Sequence, residues 1–338
     1  NIGAFSSSLL CGWLGQTYGW SYGFGLAGIG MLFGLIIFNR GQRYFNGAAE
    51  PTNPELLKEK TALGISKEYA IYLSGILMII AAWQLVQHQA VVGQMLGMTG
   101  ILAIAVIIIY AFKKCTPVER DRLGVASALI IFSVIFWALF EQAASSLNIF
   151  ADRAVNREVF GWEMPASMLQ SINPAFIFIF APLMSMLWPR LAAKGIEPNT
   201  PQKFAIAIAL VGLGFLTLVF GGAIAGESRI ALIWIFLIYW FHTMGELCLS
   251  PVGLSMITKL SVRRIVGMMM GIWFLASAGA NYIAALIATA TSSEPEAGQT
   301  AVGVTLEVYA RVGWLALTLS VLLFLLAPLL KKGMHGVR

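Results

Sequence analysis

Charge is scarce in this sequence. Only 11% of the 338 residues are charged, 58% are hydrophobic, and the mean hydropathy is +0.79. Soluble domains typically carry about 25% charged residues, so the composition excludes an ordinary soluble protein and indicates one that crosses a membrane several times. The net charge of +6 does not point to nucleic acid, because the basic residues stand in short clusters between apolar segments.

Cysteine and histidine are also rare. The three cysteines, Cys11, Cys115 and Cys248, are far apart, and the three histidines form no H-E-x-x-H motif. His242 stands four residues before Glu246, which is conceivable as a metal pair on one helix face, but no further ligand is near in sequence. No Ser/Lys, paired-Asp or metal-ligand set has a catalytic spacing. The sequence therefore predicts structural thiols, no metal, no cofactor and no enzymatic activity.

Apolar segments of membrane-spanning length alternate with short polar ones. About 20 apolar residues in a helix cross the roughly 30 Å of bilayer hydrocarbon. The chain opens at Asn1 without a secretory signal pattern, as expected for the interior of a helix. Residues 39–68 are charged and predict a linker. Spans are predicted at 1–15, 23–38, 69–87, 91–112, from 123 through Glu141, and at 166–188, 203–225, 230–257, 266–289 and 304–330.

Basic residues collect on one side of the membrane when sides are assigned by alternation. All but four of the 22 Lys and Arg residues then fall on the side of the linker and of the C-terminus at Arg338, the exceptions being Arg153, Arg157, Arg229 and Arg311. Because basic loops stay in the cytoplasm, we predict that the linker and the C-terminus are cytoplasmic.

A carboxylate, Glu141, ends the apolar run that begins at Val125. A charged group at the centre of a membrane helix costs about 2.5–3.5 kcal/mol on insertion scales, so Glu141 should face protein or water, carry a proton or meet a cation. Helical spacing puts Trp137, Phe140, Glu141 and Ala144 on one face. This face suits a pocket for a polar ligand, and a structural hydrogen bond inside a bundle is the alternative of equal weight.

A second intramembrane carboxylate, Glu246, shares a helix face with Ser250, and Pro251 follows at a point where the helix can bend. We interpret this helix as part of a pathway. Asn173 precedes a proline within another span, where it can face a cavity or bond to a neighbouring helix. Local sequence alone favours an interfacial or packing role for Trp273.

Four features, taken in order along the chain, resemble one family. N-I-G-A-F at residues 1–5 resembles the end of the second signature of the proton-coupled oligopeptide transporters. W-x-x-F-E-Q from Trp137 is similar to their seventh helix, and E-L-x-x-S-P-x-G-L-S from Glu246 to their tenth. The helical hairpin predicted at residues 69–112 is similar to that of bacterial members. The chain thus resembles a bacterial member that lacks its first four transmembrane helices.

The resemblance implies a major facilitator fold, an all-α membrane architecture with a substrate cavity between two bundles. Residues 1–38 would hold the last two helices of an incomplete N-terminal bundle, the first of them truncated, and residues 39–68 a cytoplasmic linker. Residues 69–112 would form an additional transmembrane hairpin, and residues 113–338 the complete six-helix C-terminal bundle.

The resemblance also implies a function, the proton-coupled import of di- and tripeptides across the bacterial inner membrane by alternating access. Protons would be the coupling ion, no cofactor would be needed, and the partners would be peptides and membrane lipids, with no nucleic acid. One alternative is a proton symporter of another small solute, such as nitrate or an amino-acid conjugate. The other is a non-transporting membrane scaffold.

Site residues follow from the same resemblance. Glu141 would be the proton-coupling carboxylate, and Glu246, with Ser250 beside it, would bind the peptide's amino terminus or pair with a lysine of the missing fourth helix. The two asparagines would bond the peptide's end groups or backbone, and the aromatic side chains would wall its side-chain pockets. The implied substrate-binding residues are Asn1, Trp137, Phe140, Glu141, Asn173, Glu246, Ser250 and Trp273.

Overall fold

The computed structural model describes residues 1–48, 50–62, 64–295 and 299–337. Within these ranges, nine helices are long and apolar enough to cross a membrane, which confirms the predicted all-α membrane protein. The α-helices are α1 Ile2–Tyr18, α2 Trp20–Gly41, α3 Pro54–Lys58, α4 Lys67–Gln87, α5 Gln89–Lys114, α6 Pro117–Phe140, α7 Ser146–Ala154, α8 Ile172–Ala193, α9 Thr200–Ala225, α10 Ile233–Leu260, α11 Val266–Thr291 and α12 Ala301–Gly333.

The chain divides into two compact units, which differ from the domains that the sequence predicts. One unit comprises Asn1–Gly23 and Thr99–Arg338, and the other Phe24–Met98. In the second unit, α4 exposes apolar side chains such as Met78 and Ile79, each 70% exposed, as expected for a helix in contact with lipid. The domain bounds at residues 38, 68 and 112 follow membrane topology rather than compactness, and they stay predictions.

Local sequence fixes where the main helices begin and end. Thr116 and Glu119 form a reciprocal capping box at the start of α6, with Pro117 at its first position. Asn199 and Gln202 do the same for α9. The connection between the spans predicted at 1–15 and 23–38 is shorter than the sequence indicates, because α1 runs to Tyr18 and α2 begins at Trp20. The single linking residue, Gly19, has φ +120°, a conformation that side chains disfavour.

Helix α9 lies at the centre of the first unit, packed against α10 and α12. A Cβ added at Gly212 of α9 would lie 2.9 Å from both the Ala316 Cβ and the Gly313 carbonyl oxygen of α12. The two helices therefore approach to backbone contact, as small residues permit in membrane helices. Phe215 and Tyr309 fill the same interface, fully buried, with ring centroids 5.0 Å apart.

Polar contacts join α1 to the segment that follows α7. The Gln16 Oε1 atom accepts hydrogen bonds from the Ser167 backbone N–H at 3.1 Å and from its hydroxyl at 2.9 Å. The Gln16 amide also donates to Asp152 at 3.2 Å, and Asp152 accepts from the buried Arg157 at 3.0 Å. Two short strand pairs shape the same end of the unit, β1 (Val155–Asn156) parallel to β4 (Ile230–Ala231) and β2 (Glu158–Val159) antiparallel to β3 (Trp162–Glu163).

Basic residues lie at the helix ends that the sequence assigns to the side of the linker and the C-terminus. The last turns of α5, α8, α10 and α12 carry Lys113, Arg190, Lys259 and Lys331 respectively. Arg338, which the sequence assigns to the same side, lies outside the described residues. This pattern supports the predicted sidedness, which stays a prediction.

The first test concerns the contact between α9 and α12. Gly212→Val should lower the thermal unfolding temperature in detergent, because overpacking of a close interface costs about 1–3 kcal/mol. Gly271→Val in α11 is the matched control, since a Cβ there meets nothing within 4 Å. An equal loss of unfolding temperature in the two variants would contradict the close packing.

Candidate functional site

Helix α6 ends directly before the first candidate carboxylate. The Glu141 N–H bonds to the carbonyls of Trp137 and Leu139, and a 3-10 turn, Glu141–Ala144, then leads to α7. The sequence places Ala144 on one helix face with Trp137, Phe140 and Glu141; in the structure the α-helical register stops at Phe140, and Ala144 is exposed. Glu141 itself is half-buried at this break.

The buried amide of Gln142 stabilises the break. Its Nε2 donates to the carbonyls of Ala138 and of Ala284 in α11, both at 3.0 Å, and its Oε1 accepts from the Ser146 hydroxyl at 2.6 Å. The Ser146 hydroxyl also bonds to the Tyr309 hydroxyl of α12 at 2.9 Å. The Ala138 carbonyl is the one that would accept from the Gln142 N–H in a regular helix. The side chain thus replaces a lost backbone bond and ties the break to two other helices.

The second carboxylate, Glu246, lies half-buried on α10 and is joined to α8. Asn173 Nδ2 donates to the Glu246 carboxylate at 2.9 Å and to the Thr243 hydroxyl at 3.0 Å. The Thr243 hydroxyl in turn donates to the Tyr239 carbonyl at 2.7 Å. Sequence reasoning missed Thr243. Its spacing of three residues from Glu246 on one helix face was the available signal.

Aromatic rings line the end of α6. The centroids of Trp137 and Phe140 are 5.3 Å apart, and the Trp137 indole N–H is buried without a hydrogen-bond partner among the described residues. His242 is 1% exposed and packs between Phe140 and Phe215, at centroid distances of 6.1 and 5.1 Å. Across the described ranges, no group of three or more His, Cys, Asp or Glu side chains could hold a metal ion, and His242 belongs to the aromatic packing.

The structure brings together five of the eight predicted ligands. The Phe140 ring, next to Glu141, lies 6.1 Å from the ring of His242, which is one turn before Glu246 on α10. Helix α6 with the turn that follows it, α8 and α10 thus supply two acids, one amide and two aromatic walls, an arrangement that can bind a small molecule with a positive end and move a proton. The five residues are Trp137, Phe140, Glu141, Asn173 and Glu246.

In the described part of the chain, the other three predicted ligands, Asn1, Ser250 and Trp273, make no hydrogen bond with these five residues. Asn1 is exposed at the start of α1, and Ser250 is half-buried one turn beyond Glu246. Trp273 is 6% exposed, and its ring lies 2.6 Å from where a Cβ on Gly253 would be. Its ring therefore packs closely against the α10 backbone, a placement that favours packing over contact with a ligand.

Comparison with known proteins gives consistent matches. The model of the POT family matches residues 1–305. The uncharacterized transporter YclF of Bacillus subtilis is 34% identical over 100% of this chain and 66% of its own length. Dipeptide and tripeptide permease A of Erwinia pyrifoliae is 31% identical over 98% of this chain and 66% of its own length. The chain thus spans about two thirds of the length of these relatives.

A solved structure matches the whole fold. The crystal structure of peptide transporter POT in complex with sulfate has a TM-score of 0.77 and 32% identity, and it covers 99% of this chain and 67% of that chain. The fold is therefore that of the major facilitator superfamily, as predicted. The matched proteins are transporters, not enzymes.

The break at Glu141 predicts a specific sensitivity. Gln142→Leu, of similar size, should destabilise the protein, because it leaves the Ala284 carbonyl and the Ser146 hydroxyl without this partner and a buried unsatisfied group costs about 1–3 kcal/mol. The measurement is thermal unfolding in detergent. Gln94→Leu on exposed α5 is the control, and a Gln142 variant as stable as this control would refute the role of the amide.

Proposed function

The chain belongs to the POT family, and from that membership we propose that it takes part in proton-coupled symport of di- and tripeptides by alternating access. It is a multi-pass membrane protein with the fold of a transporter. The observation that carries the proposal is the presence of two half-buried carboxylates in membrane-spanning segments, Glu141 at the break after α6 and Glu246 on α10, where Asn173 binds it. The relatives named for peptide transport support the cargo.

Glu141 is the proposed proton carrier. Among the described residues, no Lys or Arg forms an ion pair with it. A buried carboxylate is favoured in its protonated form, and an approaching cation favours the ionised form. Rocking of two bundles between outward- and inward-open states would alternate these surroundings, so Glu141 would load a proton on one side and release it on the other. Protons are the coupling ion in this proposal, which requires no cofactor.

Glu246 is the proposed partner of the peptide's ammonium group. Asn173 fixes one carboxylate oxygen at 2.9 Å, which leaves the other oxygen for a ligand. Trp137 and Phe140 would pack against peptide side chains, and the indole N–H of Trp137, which has no hydrogen-bond partner among the described residues, is a donor that a peptide carbonyl could satisfy. Apolar walls tolerate varied side chains while fixed polar groups bind the shared termini. Asn1, Ser250 and Trp273 stay proposed ligands.

The proposed location is the bacterial inner membrane, with the linker and the C-terminus in the cytoplasm. Its support is the placement of basic residues at the helix ends of one side. Peptides, protons and lipids are the proposed partners.

Uptake into liposomes tests proton coupling. Glu141→Gln should abolish the accumulation of a labelled dipeptide driven by an inward proton gradient, because an amide cannot carry the proton. Exchange of dipeptide across the membrane should persist, since the rest of the cavity is intact. Glu307→Gln is the control that should accumulate peptide normally, because Glu307 is an exposed position of α12 whose carboxylate pairs with Arg311.

Gradient-driven accumulation by Glu141→Gln at the wild-type level would remove the proposed coupling role of Glu141. The scaffold alternative predicts no accumulation of any solute, even by the wild-type protein. If the wild-type protein accumulates no peptide, a solute screen that includes nitrate and amino-acid conjugates would test the other cargo.

Binding of blocked and free peptides tests Glu246. Glu246→Ala should weaken the binding of a free dipeptide by roughly 10- to 100-fold, because a hydrogen bond to a charged group is worth about 1.5–3 kcal/mol. The affinity for the same dipeptide acetylated at its amino group should fall much less, since that peptide carries no ammonium group. Glu246→Gln removes the charge but can keep the hydrogen bond to Asn173, so it distinguishes the loss of the charge from a structural effect of the substitution. Equal losses for free and acetylated peptides would exclude the proposed contact.

A further inference from the structure

Thr243 is fully buried in α10, about one turn before Glu246. Its hydroxyl has one proton to donate, and that proton goes to the carbonyl oxygen of Tyr239, four residues earlier on the same helix, at 2.7 Å. Threonine hydroxyls inside helices commonly make this bond to the preceding turn. Because the proton is used there, the Thr243 oxygen can serve any other group only as an acceptor.

The group that meets this oxygen is the side-chain amide of Asn173 on α8. Its Nδ2 atom carries two protons. It donates to the Thr243 hydroxyl at 3.0 Å and to the Glu246 carboxylate at 2.9 Å. In the reversed orientation the amide oxygen would face the carboxylate and a hydroxyl with no proton left to give, so both bonds would be lost. The Thr243 hydroxyl therefore selects the orientation in which the amide donates to Glu246.

The second bond also restricts where the amide can lie. With Glu246 as its sole acceptor, Nδ2 could keep one hydrogen bond while the Asn173 side chain turned about its torsions. With Thr243 as well, the amide is held at two points of one face of α10. A site that is ordered before its ligand arrives loses less conformational freedom on binding, and its affinity rises accordingly.

We propose that Thr243 is a positioning residue for ligand binding. It acts through Asn173, which it holds so that the Glu246 carboxylate keeps the geometry that receives the ligand's ammonium group. The inference rests on the proposed function of Glu246 and adds a residue that touches no ligand itself, since the Thr243 side chain is fully buried.

Binding of a free dipeptide to the purified protein in a neutral detergent, measured by calorimetry, tests the inference. Thr243→Val keeps the shape of the side chain but removes the hydroxyl, and it should weaken binding about 2- to 10-fold, the factor that one hydrogen bond between neutral groups is worth. Thr243→Ser keeps the hydroxyl and should bind as the wild-type protein does.

Thr258→Val is the matched control. The Thr258 hydroxyl makes the same kind of bond on the same helix, to the Leu254 carbonyl at 2.9 Å, but Thr258 is exposed. Its removal should leave binding unchanged. Unchanged affinity in Thr243→Val, or equal losses in Thr243→Val and Thr243→Ser or in Thr243→Val and Thr258→Val, would overturn the proposal.

A double-mutant cycle separates positioning from general damage. In an Asn173→Ala background, Thr243→Val should weaken binding no further, because the residue through which it acts is gone. Fully additive losses would contradict the inference. Thermal unfolding of each variant confirms that it is folded.

A measurement without ligand distinguishes failure of this inference from failure of the proposed function. In protein labelled with ¹⁵N-asparagine, the Asn173 side-chain amide is the signal lost in Asn173→Ala. Its protons should exchange with D₂O slowly in the wild-type and Thr243→Ser proteins and faster in Thr243→Val. If this difference is present but the wild-type protein binds no dipeptide, the proposed function fails and the positioning of Asn173 stands. Equal exchange in all three proteins refutes the positioning.

Discussion

The hydrogen bonds of one buried amide, Gln142, determine the geometry on which the site depends. Hydrocarbon offers no water to a broken helix, so every freed backbone group needs a protein partner. Gln142 supplies it through Ala138 and anchors the break to α11 through Ala284. Glu141 is the first residue of the break, so its position depends on the hydrogen bonds of the adjacent Gln142.

Close packing elsewhere gives the site a rigid frame. Helix α9 touches α12 at Gly212 and fixes α10 on its other side, so the Glu246 side chain projects from a supported helix. Asn173, at the start of α8, then sets the orientation of that carboxylate through a single 2.9 Å bond. A hydrogen bond thus positions Glu246, which suits the proposed binding role. The end of α6 positions Glu141, which suits the proposed titrating role.

Sequence could predict the spans and both acids, because the length of an apolar run and a charge inside it are local properties. It could not predict that Asn173 meets Glu246, since the two are 73 residues apart and only tertiary packing joins them. The break after Phe140 was also missed, because the polar residues from Glu141 to Ser146 mark the end of the apolar run but do not show whether the helix continues through them. For Trp273, local sequence favoured packing and the resemblance implied a cavity wall; its ring packs against Gly253, a partner that local sequence does not identify.

The partners of the break are made late in biosynthesis. Ala284 follows Gln142 by 142 residues, and Tyr309 follows Ser146 by 163. At a synthesis rate of about 5–20 residues per second, Ala284 and Tyr309 are therefore synthesised roughly 7 to 30 seconds after Gln142 and Ser146. During that interval the Gln142 amide and the Ser146 hydroxyl must bond to each other, to water or to the insertion machinery. The candidate site is therefore completed only when the last helices of the chain enter the membrane.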